Sequence, residues 1–306
     1  MLAIGTGNRY FKKATLIHRG STMKAQSSRR DFLKQTGLLA AAAGLGSPQT
    51  YSAQVPVPGL ASPLNKLGLA SYTTRNFSLD QTIQMTQRLG LKYLSIKDVH
   101  LPLTASDSDI QASIEKITKA GITPYACGVV YMKNAEQVDR AFEYAKAAGF
   151  KIIVGVPNHD LLERVSQKVA QYDIRVAIHN HGPTDKVYPT PQSAYEKIKD
   201  LDKRIGLCID VGHTLRSGID PAEDIVRFAD RLLDVHLKDV TAASEEGTTV
   251  EIGRGAANMP AIVKALLAIG YSGVAGFEYE KDAKDPLPGT AESIGYVRGV
   301  LAALQK

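Results

Sequence analysis

The amino-acid sequence predicts a single-domain (β/α)8 barrel, and three observations carry that prediction. From about residue 66 onward, short apolar runs alternate with amphipathic helical stretches, the βαβα order of a parallel sheet. Eight such runs begin near Leu67, Lys92, Ile122, Phe150, Ile174, Ile205, Leu232 and Gly273. They are spaced by roughly one βα unit of about 30 residues, and eight units in about 250 residues is what a closed barrel needs. Ionisable residues also collect at the C-terminal ends of several runs, the end at which such barrels carry their chemistry.

Residues 1–53 stand apart from this pattern. Ser28 to Lys34 read SRRDFLK, and Thr36 to Gly46 form an apolar run well short of the roughly 20 residues that span a bilayer. This is the pattern of a twin-arginine export signal, so a periplasmic or otherwise exported protein is expected, with Met23 a candidate alternative start. A Pro-rich linker (54–65) follows, and the barrel takes 66–306.

The formal charge of +6 belongs to that leader. Of 37 basic and 31 acidic side chains, residues 1–53 hold eight and one, which leaves 29 against 30. Nothing in that balance points to nucleic acid, or to a membrane surface once the leader is gone. Cys127 and Cys208 both fall in predicted strands and read as small buried hydrophobes rather than a disulfide.

The helices between the strands are bounded by their own punctuation. Thr82 to Leu89, Asp107 to Ala120, Ala135 to Ala148 and Pro260 to Ile269 each end on a glycine (Gly90, Gly121, Gly149, Gly270), the residue suited to a helix stop. The rival architecture is an open doubly wound sheet. No Gly-rich phosphate loop follows the first strand, and the GRG at 253–255 is too short to signal one.

Alternation along each strand then sorts outward from inward side chains. The stretch Ile205 to His213, IGLCIDVGH, reads as a buried strand with Leu207, Ile209 and Val211 on one face and Gly206, Cys208 and Asp210 on the other. The fifth strand turns Ala177, His179 and His181 inward; the seventh, Asp234, His236 and Lys238; the eighth, Gly276, Glu278 and Glu280. Ser95 and Lys97 of the second strand also face in, with His100 just beyond. Buried carboxylates need a counter-charge or a metal. Asp210 and Glu278 meeting His179 and His236 suit one divalent ion such as Mn, Co, Zn or Fe better than Ca or Mg, while Lys97 and Lys238 are competing cations.

The segments AIHNHG (177–182), CIDVGH (208–213), DVHLKD (234–239) and GFEYE (276–280) resemble the xylose isomerase-like superfamily of sugar isomerases and epimerases. Ketose 3-epimerases, hydroxypyruvate isomerase and inosose dehydratase belong to it. The resemblance implies a metal held by Glu, Asp, His and Glu from strands five to eight. Asp210, His236 and Glu278 match the last three positions, and His179 replaces the first Glu. That Glu also transfers protons in the epimerases, and Lys97 stands where those enzymes tend to carry an acid.

The implied activity is proton removal beside the carbonyl of a keto sugar, with His181, Lys97 and Glu280 as candidate catalytic groups and His100, His213 and Lys238 as candidate substrate ligands. A lyase or hydratase acting on 3-keto sugars or 3-keto glycosides is the alternative, and a non-catalytic sugar-binding barrel the second. The expected partner is a small sugar; the sequence does not set the oligomeric state, and the pairing common among relatives leaves a homodimer open.

Overall fold

A computed structural model describes residues 64–304. The expected export segment, and all but the last two residues of the expected linker, lie outside the described residues. Eight parallel strands form a closed barrel: β1 (Leu67–Ala70), β2 (Tyr93–Ile96), β3 (Thr123–Met132), β4 (Ile152–Pro157), β5 (Arg175–His179), β6 (Ile205–Asp210), β7 (Leu232–Leu237) and β8 (Ala275–Phe277). Each strand pairs with its sequence neighbours, and β1 closes the cylinder against β8. None of the described helices is long and apolar enough to cross a membrane.

The outward faces behave as the alternation requires. Leu207 and Ile209 of β6, Val235 and Leu237 of β7, and Val176 and Ile178 of β5 are buried under the helices in one continuous apolar layer. The expected glycine stops hold: Gly90, Gly121, Gly149 and Gly270 sit at φ of 65, 76, 73 and 66°, where a side chain is disfavoured. The helix expected from Thr82 starts earlier, at Leu79, because Ser78 and Gln81 form a reciprocal capping box.

One segment departs from its reading. The stretch expected to run as a strand to His213 stops at Asp210, and Val211–Arg216 form a short helix, α6. The cause is local, because Asp210 is its N-cap and Oδ1 accepts the His213 amide at 2.7 Å. His213 therefore projects from a helix rather than from a strand end.

Past β7 the chain makes a two-stranded hairpin, Asp239–Val240 with Thr249–Val250, and then the GRG turn. Asp239 organises this loop. Its Oδ1 accepts the amides of Val240 (2.8 Å) and Ala257 (3.0 Å), and its Oδ2 those of Gly253 (2.9 Å) and Gly255 (3.1 Å). A Cβ on Gly255 would stand 2.2 Å from Oδ1, which is why that turn position has no side chain.

Candidate metal centre

The site is assembled by strand register. β6 pairs with β7 so that Asp210 lies opposite His236, and β8 pairs with β7 so that Gly276 lies opposite the same residue. Glu278, two residues beyond Gly276, returns to the inner face just past the end of β8, where its amide donates to the Leu237 carbonyl at 3.1 Å. His179 closes β5 on the neighbouring rung, opposite Cys208.

Four side chains, three from strands β5 to β7 and one just past the end of β8, thus converge. Their potential ligand atoms lie within 4.8 Å of one another. His179 Nε2 is 3.1 Å from His236 Nδ1 and 3.5 Å from Asp210 Oδ2, and His236 Nδ1 is 3.2 Å from Glu278 Oε2. All four residues are buried. Asp210 divides its labour: Oδ1 caps α6, while Oδ2 is buried without a well-aligned hydrogen-bond donor. Two nitrogens and two carboxylate oxygens facing one another fit a single divalent ion of the borderline kind.

Lys238 stands at the edge of this cluster. Its buried ammonium is 3.1 Å from Asp210 Oδ2 and 2.9 Å from Glu278 Oε2, and it also pairs with Glu280. Burial works against ionisation of Asp210 and Glu278, yet Lys238 and the neighbouring imidazoles hold both carboxyls below the usual range. Burial likewise lowers His179, and pushes His213 down to about 4 and His181 down to about 2. These three rings are neutral at pH 7, the form that can bind a metal or accept a proton.

A cavity of about 380 Å3 opens over the cluster, lined by Lys97, Tyr131, His179, His181, His213, Glu278 and Glu280 among others. His181, beyond the end of β5, faces Tyr131: the rings stack at 5.6 Å and Nε2 is 3.1 Å from the phenol oxygen. Lys97, whose ammonium lies 5.9 Å from the centre of the Tyr131 ring, donates to the Val129 carbonyl at 2.6 Å and pairs with Asp98 at 3.2 Å. Glu280 meets Lys238, and His213 Nε2 lies 3.4 Å from the same ammonium.

His100 is placed elsewhere. Its Nδ1 lies 2.9 Å from Ser71 Oγ and its Nε2 3.0 Å from Thr82 Oγ1, so both nitrogens are committed to a buried polar network and neither reaches the cavity. The expectation that it binds substrate is corrected accordingly. Lys238 is also more than the expected substrate ligand, since its ammonium is spent on three carboxylates.

Two participants were not foreseen. Tyr131, near the end of β3, lines the cavity, and its ring carries none of the charge by which the inward residues of the other strands were picked out. Asn180 uses Oδ1 to accept the Asp210 amide and Nδ2 to reach Thr214 Oγ1, both at 3.1 Å, which locks the end of β6 and the start of α6. A second cavity, of about 570 Å3, lies at the N-terminal end of the barrel around Lys66, Tyr125 and Arg175 and contains none of the converging residues.

The chain matches the xylose isomerase-like TIM barrel over residues 52–300. It belongs to that family. Among curated relatives, it is 30% identical over 150 residues to the rhizopine catabolism protein MocC of Rhizobium meliloti, covering 44% of this chain and 46% of that protein. It is 26% identical over 136 residues to an inosose dehydratase of Lacticaseibacillus casei, covering 40% and 45%. The matched part is thus under half the length of these curated relatives. Among solved structures, an IOLI protein with a bound zinc atom superposes with a TM-score of 0.63 at 22% identity, covering 78% of this chain and 97% of the other. At that identity the likeness speaks to the fold. The xylose isomerase-like barrel described here is therefore a family member with His179 in its converging set.

Proposed function

We propose that this protein is a sugar-modifying enzyme that removes a proton beside the carbonyl of a keto sugar, aided by one divalent ion (Mn, Co, Zn or Fe). The observation that carries the reading is the convergence of His179, Asp210, His236 and Glu278 within 4.8 Å in the floor of a cavity. Those four would hold the ion. When bound, it supplies Lewis acidity that stabilises negative charge developing on the carbonyl oxygen. Likeness to a zinc-bound IOLI protein and to an inosose dehydratase supports both parts of the reading.

The chain's own residues do the remaining work. Glu280 and His181 stand on the cavity wall as proton acceptors, and His181 shares one hydrogen bond with the Tyr131 hydroxyl. Lys97, beside Tyr131 on the cavity wall, offers an ammonium to substrate hydroxyls. Asn180 and the α6 cap keep Asp210 in place, so the floor is preorganised before substrate enters.

A second reading, a lyase, follows from His179. Of the acids lining the cavity, only Glu278 and Glu280 are present among the described residues, and Glu278 is spoken for by the cluster. A single carboxylate outside the cluster, Glu280, favours abstraction on one face followed by expulsion of the β-substituent, rather than proton return from the opposite face. Export through the twin-arginine signal expected of residues 1–53 would place the reaction outside the cytoplasm.

The test is incubation of the metal-loaded protein with aldoses, ketoses and 3-keto glycosides in deuterated water. Deuterium in the recovered sugar is the expected result, and an unsaturated product selects the lyase. A protein that binds no divalent ion and exchanges no proton with any of them would instead be a sugar-binding barrel, and the proposal would fall.

A further inference from the structure

Beside the cavity over the cluster lies a larger one of about 660 Å3, and the two share His213 and Glu280 as a common wall. The side chamber is bounded by Arg216, Lys238, Lys281 and the hydroxyl residues Thr241, Thr248 and Thr249. Three cations face it, and their circumstances differ. Lys281 is matched by Glu251 at 2.8 Å, and Lys238 by Asp210, Glu278 and Glu280.

Arg216 has no ion-pair partner among the described residues. Its Nη2 donates to the Glu245 carbonyl at 2.9 Å, its Nη1 lies 3.4 Å from His213 Nδ1, and its Nε is buried without a partner. The guanidinium is therefore held beside the shared wall with its charge unmatched. A neutral sugar would leave it so, whereas an acidic group meets the fork of donors that arginine presents.

We propose that the substrate is an anionic sugar, whose reacting end occupies the cavity over the cluster and whose acid group crosses the shared wall to Arg216. The anion is a sugar carboxylate or a phosphate ester, with the threonine hydroxyls of the side chamber as further donors. What happens at the reacting end rests on the function proposed above; the anion site does not.

Calorimetric titration of the purified protein with D-glucuronate, D-glucose and glucose 6-phosphate tests this without any turnover. One of the two acids is expected to bind roughly tenfold or more tighter than glucose, as a charge-assisted contact implies. The tighter acid identifies the source of the anion. In Arg216→Gln, and in Thr249→Glu, which places a carboxylate in the same chamber without touching the guanidinium contacts, the acid-to-glucose ratio is expected to fall to about one. Equal affinities for all three sugars in the unmodified protein, or a preference that survives both substitutions, would overturn the inference. An acid preference without deuterium exchange on any sugar would instead sink the proposed reaction and leave the anion site standing.

Discussion

Replacing Lys238 with Met tests the electrostatic logic of the site directly. The ammonium is buried and stands about 3 Å from oxygens of both Asp210 and Glu278, with Glu280 as a third partner. Methionine matches the length of the side chain and removes the charge. Breaking a buried pair by deleting one partner costs about 3–5 kcal/mol, and three orphaned carboxylates place Lys238→Met toward the upper figure in metal-free buffer. The same substitution removes a positive charge that competes for the two oxygens a divalent ion would use. Affinity for Zn or Mn is therefore expected to rise by roughly tenfold or more. Urea unfolding in chelator, repeated with the ion present, reads both effects: a large loss without metal, most of it restored with metal. Retention of stability to within about 1 kcal/mol in chelator, together with unchanged metal affinity, would refute the reasoning.

Three further outcomes are expected. Asp210→Asn keeps an oxygen to cap α6 but loses the charge, and His236→Ala removes a nitrogen, so both should lose divalent ion on gel filtration, read by elemental analysis, with circular dichroism unchanged. Asp239→Asn would turn an amide NH2 toward two of the four backbone amides the carboxylate now accepts, at a cost of about 2–4 kcal/mol in chemical unfolding. Asp224 is buried, its Oδ2 has no hydrogen-bond partner, and burial raises its carboxyl from 3.8 to about 6. The folded state thus binds this proton more tightly than the unfolded chain. Its contribution is favourable at low pH and is lost as pH rises through the window from 3.8 to about 6. Asp224→Asn should be neutral below that window and should stabilise by up to about 3 kcal/mol above it, read as melting temperature against pH.

Much of the barrel was legible because its signals are local. Alternation within β5 to β8 depends only on the pleat, so the outward Leu, Ile and Val and the inward His179, Asp210, His236 and Lys238 could be sorted without a partner strand. Glycine stops were equally visible, since a left-handed φ is a property of one residue. The reading of IGLCIDVGH failed at Asp210 for a related reason. An Asp followed three residues later by an amide it can cap looks the same as a strand continuing, until the backbone turns.

By itself the sequence determined the barrel, the family and the identity of the inward polar residues, because periodicity and motif spacing are written along the chain. Only the tertiary structure decided which of those residues meet. Register between strands placed Asp210 opposite His236, sent Lys238 between two carboxylates, and withdrew His100 into the Ser71–Thr82 network. Those outcomes depend on distances between atoms far apart in the chain, which side-chain reach and strand offset set together and which no single stretch encodes.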